Sequence, residues 1–203
     1  MKITIVDYGM GNISSIIGAL KYLGVGVITV SNSLSDIVSA DKLILPGVGS
    51  FPTAMNNIKK LNIDTYLRDS VLVDKKPILG ICLGMQLMAD SSSEDSYSQG
   101  LGFVKGTVRR FSESSLKVPH MGFNQVVIKR NSKLFKGLNN LSDFYFVHSF
   151  RMTSDADINQ SECTYNDKFI AGYEYGNIAG VQFHPELSQT NGLKLLNNFI
   201  TYF

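Results

Sequence analysis

Apolar residues along the first half of the chain follow two rhythms. Residues 3–6, "ITIV", form an unbroken apolar run, and "NISSIIGALKYLG" (12–24) then repeats Ile13, Ile16, Ile17, Leu20 and Leu23 at three- and four-residue steps. The first reads as a buried strand and the second as a helix, with Asn12 placed to cap it and Gly24 to stop it. The alternation continues through "GVITV" (26–30), a short helix over 33–40, "KLILP" (42–46), a longer helical stretch around 51–73, "PILGI" (77–81) and a helix beginning near Leu83. Continuous apolar strands separated by helices predict an α/β fold, with a mostly parallel central sheet flanked by helices on both faces.

The second half changes character. "GFVKGTVRRF", "NQVVIKR" and "DFYFVHSFRM" read as strands without long helices between them, which predicts an antiparallel or mixed extension. Residues 170–183 read as a hairpin turning at Tyr175-Gly176-Asn177, and a last helix over 189–203 places Leu193, Leu196, Phe199, Ile200 and Phe203 on one face. "SSSEDSYSQG" (91–100), the most polar stretch, is expected as a mobile loop.

Composition narrows the classes. With 203 residues, 19 basic against 17 acidic side chains and 18% charged residues, the chain fits one large domain and carries no basic surface for nucleic acid. Its most basic stretch, "VRRFSESSLK" (108–117), reads as a solvated strand edge. Cys82 and Cys163 make no disulfide framework, and three histidines make no metal site by spacing. "MKITIVDYG" runs straight into a strand pattern, and no apolar run approaches the roughly 18 residues of a membrane span, so a cytoplasmic chain without membrane contact is expected.

Candidate chemistry centres on "ILGICLGMQLM" (78–88). Gly80-Ile81-Cys82-Leu83-Gly84 has the form of a nucleophile elbow with cysteine in place of serine, on a crowded strand-to-helix turn that needs small residues on either side. The N–H groups opening the following helix would favour a thiolate. A buried structural cysteine is the competing reading. Of the histidines, His184 in "VQFHPE" follows a strand and has Glu186 two residues on, on the same face of an extended segment, with Pro185 stiffening the link. His148 and His120 are weaker candidates, more often structural. An oxyanion hole would take the Leu83 N–H and a second donor from "LPGVGS", at Gly47, Val48 and Gly49, where a plain βα turn is equally compatible. "DYGMGN" (7–12) resembles a dinucleotide-binding loop, but Ser14 stands where the third glycine belongs.

"GICLGMQ", "PGVG", "VPHMGFN", "FVHSF" and "GVQFHPE" together resemble the class I (triad) glutamine amidotransferases, in the family's order and over essentially the whole chain. Within that family the set is similar to the glutaminase subunits of histidine biosynthesis. The resemblance implies a flavodoxin-like fold in a single glutaminase domain over 1–203, which hydrolyses L-glutamine to glutamate and ammonia. Cys82 would carry the glutamyl thioester while His184, oriented by Glu186, hands a proton to the departing ammonia. Gln86 and Glu94 would help bind glutamine, and the backbone at His148, Ser149 and Phe150 would hold its α-amino and α-carboxylate groups. The peptide around Val48 would be a switchable oxyanion donor. The partner implied is a (β/α)8 barrel cyclase subunit, which in a heterodimer receives the ammonia through a tunnel and forms imidazole glycerol phosphate and AICAR; no cofactor is implied. Asn12, Phe123 and Leu187 would lie on the partner side. Two of these depart from the family pattern, Phe123 replacing a tryptophan and Leu187 a basic residue. A paralogous pair that amidates a nucleotide sugar or glycan precursor for bacterial surface polysaccharide is the alternative they keep open.

Overall fold

A computed structural model describes residues 1–112 and 116–203. The first half runs β1 (Lys2–Val6), α1 (Ile13–Tyr22), β2 (Val27–Ser31), α2 (Leu34–Ser39), β3 (Lys42–Leu45), α3 (Phe51–Lys60), α4 (Ile63–Arg68), β4 (Ile78–Ile81) and α5 (Leu83–Leu87). There follow β5 (Ser91–Ser92), β6 (Ser98–Gln99), β7 (Thr107–Arg110), β8 (His120–Val126), β9 (Ser142–His148), β10 (Phe150–Thr153), β11 (Ser161–Tyr165), β12 (Asp167–Tyr175), β13 (Ile178–Val181) and α6 (Gln189–Tyr202). No helix among the described residues is long and apolar enough to cross a membrane.

The seven-stranded sheet has the order β11-β12-β13-β4-β3-β1-β2. Strands β13, β4, β3, β1 and β2 are parallel, and β12 and β11 extend the sheet antiparallel beyond β13. The parallel part thus has the flavodoxin-like order, which places ligand sites beyond the carboxyl ends of the strands. Period-two alternation sorts the apolar runs onto two faces. Val6, Leu43, Leu45 and Ile78 pack with α2, α3, α4 and α5, including Ile37, Phe51, Ile58 and Leu67. Ile3, Ile5, Ile44, Leu79 and Val181 pack on the other face with Ile16 and Leu20 of α1 and Leu195, Leu196 and Phe199 of α6. This burial on both sides is why the strands read as continuous runs.

Several boundaries differ from the sequence reading. Asn12 occupies the N-cap of α1, yet its side chain makes no capping bond; its oxygen accepts from Ser15 Oγ at 3.1 Å. Gly24 does end that helix, at φ +77°, with its N–H bonded to Lys21 and that of Val25 to Leu20, a Schellman closure. The 51–73 stretch is broken at Asn62, in the left-handed region, and ends in a π-helical turn over Asp69–Val73. Only 107–110 of "GFVKGTVRRF" forms a strand; Phe103 and Val104 turn back, their N–H groups bonded to Met88 O. "NQVVIKR" is displaced, since β8 ends at Val126, and "DFYFVHSFRM" divides at Ser149 into strands of two different sheets. "SECTY" is a strand without a long apolar run to announce it. The polar 91–100 loop contains the β5–β6 pair, and β5 pairs with β7. Residues 113–115 of the basic stretch lie outside the described residues; Arg109 and Arg110 face solvent, but from a strand held between β10 and β5 rather than from an edge.

One contact sets the geometry above the sheet. A Cβ on Gly84 would lie 1.8 Å from the Leu45 carbonyl oxygen, and one on Gly80 would lie 2.7 Å from the Met85 nitrogen. Helix α5 therefore presses directly on the end of β3 and folds back over β4. Gly84→Ala must separate α5 from β3, and urea denaturation is expected to show a loss of about 3 kcal/mol or more, beyond ordinary overpacking.

Candidate active site

In-register pairing aligns Leu45 with Gly80, and Ile81 with Val181, so β3, β4 and β13 finish side by side. The next residues, "PGVG", Cys82 and "QFHPE", therefore emerge at the same place. Cys82 itself has φ +52° and ψ −111°, a backbone that costs a non-glycine residue roughly 1–3 kcal/mol and persists where surrounding structure enforces it. The glycine approaches described above enforce it. Its side chain is 6% exposed and reaches the wall of a cavity of about 410 Å³, so the thiol is accessible from one side.

The cavity is also lined by Val48, Gly49, Leu83, Gln86, Glu94, Pro119, Val147, His148, Ser149 and Phe150. It thus gathers the glutamine-binding candidates and three of the four oxyanion candidates. Gly47 is the exception: a Cβ there would meet Tyr8 Oη at 2.5 Å and Leu83 Cβ at 2.8 Å, so its role is to let the turn pack on the elbow. Gly49, at φ +105°, gives the turn its left-handed step. Leu83 opens α5, where first-turn N–H groups have no carbonyl within the helix. That helix has only five residues, so its dipole is small. Glu94 accepts the Phe51 N–H at 3.0 Å, tying its loop to the start of α3 just past the glycine turn. Burial raises its carboxyl, the Phe51 bond offsets part of that, and Asp95 adds to the rise.

His184 and Glu186 lie behind the thiol. His184 Nδ1 and Glu186 Oε1 are 2.8 Å apart, and Pro185–Leu187 forms a 3₁₀ turn rather than the extended segment expected, so the turn brings residue 186 back to the ring. Ser188 donates to the His184 carbonyl at 2.7 Å and accepts the Tyr145 N–H at 2.9 Å, fixing the backbone from which the ring hangs. Burial alone would lower His184, but the nearby Cys82 sulfur and the hydrogen-bonded Glu186 carboxylate outweigh it and raise it to about 10. Nε2 of His184 and Oε2 of Glu186 are buried without a geometrically acceptable hydrogen-bond partner. Unpaired buried groups are rare, and here they sit beside a cysteine that acts electrostatically on the ring. The arrangement can hold a thiolate beside an imidazolium and pass a proton between that pair and a bound molecule.

The family profile described as "Glutamine amidotransferase class-I" matches residues 4–202. The chain belongs to the class I glutamine amidotransferase family. The amidotransferase is 46% identical to imidazole glycerol phosphate synthase subunit HisH 1 of Campylobacter jejuni subsp. jejuni strain 81-176, over 97% of this chain and 98% of that protein. It is 41% identical to subunit HisH of Aquifex aeolicus, over 98% and 96% of the two chains. Solved structures share the fold at lower identity: PurLQS from Thermotoga maritima has a TM-score of 0.70 at 21% identity, covering 99% of this chain and 98% of that one. The glutaminase domain of Trypanosoma brucei CTPS has a TM-score of 0.67 at 16% identity, covering 98% and 94%.

The candidate partner-side residues of the amidotransferase lie near one another. Helix α1, which follows Asn12, packs against the Pro185–Leu187 turn. Phe123 contacts the ring of Tyr145, whose N–H Ser188 holds. Phe123 and Leu187 are 51% and 40% exposed, so both apolar replacements face outward.

Sequence reasoning missed three supporting side chains, Ser188, Tyr8 and Gln182, and read a fourth, His120, as more often structural. Tyr8 comes from the discounted "DYGMGN" loop. Its hydroxyl donates to the Pro46 carbonyl at 2.6 Å, and burial together with the Cys82 charge raises the phenol. Gln182 donates to Cys82 Sγ at 3.6 Å. His120 underlies the cavity wall: its Nδ1 lies 3.0 Å from His148 Nε2, and His148 Nδ1 lies 2.8 Å from the Phe150 carbonyl. That carbonyl can only accept, which assigns the proton on His148 to Nδ1 and on His120 to Nδ1 in turn. Burial lowers His120 to about 4; burial, with the His120 and His184 charges, lowers His148 to about 3 despite the Phe150 bond. Both values lie below the ordinary 6.5, so the unfolded chain binds more protons between pH 6.5 and 3. The stability contributed by these two histidines is therefore complete above pH 6.5 and falls as pH drops through that window. Thermal melts from pH 7 to 4.5 should show the midpoint falling more steeply in the wild type than in His120→Asn.

Proposed function

We propose that this chain is the glutaminase subunit of an imidazole glycerol phosphate synthase, a single domain over 1–203 that releases ammonia from L-glutamine for a (β/α)8 barrel cyclase partner. The observation that carries the reading is Cys82 in the wall of the cavity, with the His184–Glu186 pair beside it, in a chain that matches a HisH relative over 97% of its length. Glutamine enters with its carboxamide toward Cys82. Gln86, Glu94 and the backbone of His148, Ser149 and Phe150 hold its amino-acid end. The thiolate attacks the carboxamide carbon, and the N–H groups of Leu83 and Val48 take the charge that develops on oxygen. His184, protonated beside Glu186, gives its proton to the nitrogen, and ammonia leaves. Water then hydrolyses the thioester with His184 as base, and glutamate departs.

Free ammonia is quickly protonated in water, so it must pass to the acceptor under cover. The outward-facing Phe123 and Leu187, with Asn12 nearby, form the surface on which the cyclase seats. Phe123 keeps an aromatic ring there without an indole N–H, and Leu187 stands in place of a charge, so docking relies on burial rather than on ion pairing.

Glutamate release by the chain alone and with a barrel cyclase tests the reading. The mixture should turn over far faster than either protein alone, and equal rates in both tubes would overturn the partner assignment. Cys82→Ala should abolish turnover in both. Glu186→Gln, which leaves His184 without its carboxylate, should lower kcat about 10²–10⁴-fold, the range of general acid–base contributions, with little change in KM.

A further inference from the structure

The β13–β4 register continues one step past the strands, bringing Gln182 beside Cys82, and the Cys82 N–H bonds the Val181 carbonyl at 2.8 Å. Gln182 is completely buried. A carboxamide buried at the end of the sheet must be hydrogen-bonded, and its partners fix which way it faces. The Phe150 carbonyl can only accept, so the Gln86 atom 2.9 Å from it is the amide nitrogen. That same nitrogen lies 2.8 Å from Gln182, which must therefore present its oxygen. Gln182 is left with one orientation, Nε2 toward Cys82 Sγ at 3.6 Å. On its other side the sulfur has an acceptor, the Val147 carbonyl at 3.9 Å.

Resting on the glutaminase reading, we propose that Gln182 is a positioning residue for the nucleophile: its N–H holds the Cys82 sulfur on the cavity side and supports the thiolate, and Gln86 keeps that N–H aimed. An N–H donor stabilises an anionic sulfur and does little for a thiol, whereas the Val147 carbonyl can bond only the thiol. Gln182 thus counters the Val147 carbonyl, which favours the protonated form. Gln86 joins this pair to the Phe150 carbonyl, in the wall that holds the amino-acid end of glutamine. The titratable groups around the sulfur are His184, backed by Glu186, and Tyr8, while His148 and Glu94 line the cavity beyond. None of them can replace a neutral donor on the β13 side.

The test is alkylation of Cys82 by iodoacetamide across pH, followed by peptide mapping so that Cys163 is counted separately. Gln182→Met keeps the length of the side chain and removes the donor. Its alkylation profile should move up by about one pH unit, equivalent to about ten-fold slower reaction at a fixed pH on the rising limb. Glutamine kcat should fall about ten-fold or more, the scale of a hydrogen bond to a charged group, while KM stays within about three-fold. Gln182→Glu, with a carboxylate against the sulfur, should move the profile further in the same direction. Wild-type profiles in both variants would overturn the proposal. Should neither variant fold, the side-chain amide resonances of Gln182 in the wild type must shift as Cys82 is alkylated, and unmoved resonances overturn it. Because alkylation needs no glutamine, a shifted profile in an enzyme that does not hydrolyse glutamine would reject the glutaminase reading and leave this inference standing.

Discussion

Gly84 brings α5 so close to the Leu45 carbonyl that no side chain fits between them, and Gly80 does the same under Met85. Between these two approaches the backbone at Cys82 has no relaxed alternative and adopts φ +52°. The sulfur is thereby lifted out of the sheet and into the cavity. Everything else in the site is arranged around that fixed point. The in-register endings of β3, β4 and β13 bring a glycine turn, a thiol and an imidazole together from three distant parts of the chain. The long-range distances are set by the sheet, and only the last one or two residues of each strand are specialised.

Around the thiol, polar groups fall into two kinds. Gln182, His148, His120 and Tyr8 are hydrogen-bonded within the protein, and Gln86 is held through its amide nitrogen, so each has one orientation. His184 Nε2 and Glu186 Oε2 are left open. Satisfied groups make a rigid frame, since moving any member would leave a buried partner unbonded. The open ones belong to the imidazole beside the sulfur and to the carboxylate that holds that imidazole. In the proposed mechanism this division separates holding from reacting, with the frame giving precision and the unpaired atoms the chemistry.

The parallel half was legible because burial on both faces writes strands such as 42–45 and 78–81 as continuous apolar runs. The elbow was legible because its steric demand is local, falling on glycines two residues either side of Cys82. The second half misled for physical reasons. Strand β8, with Gly122 and Asn124 inside it and alternate residues exposed, shows no apolar run, while the apolar 126–128 lies largely past its end. "SECTY" is held by pairing to β12 rather than by its composition. Gln182 and Tyr8 could not be assigned roles because their partners lie in other segments, and only the folded sheet brings those atoms together. The length of the helix after Cys82 was not legible, since "LGMQL" ends after five residues and the chain turns into the polar hairpin.

The most direct test of the central claim, a reactive sulfur in a glutamine-shaped cavity, is active-site labelling with a glutamine analogue bearing an electrophilic diazoketone in place of the carboxamide. Mass spectrometry of the intact and digested protein should show one equivalent attached at Cys82, none at Cys163, and protection by free glutamine. Labelling of both cysteines at equal rates, or of Cys82 without protection by glutamine, would contradict the account.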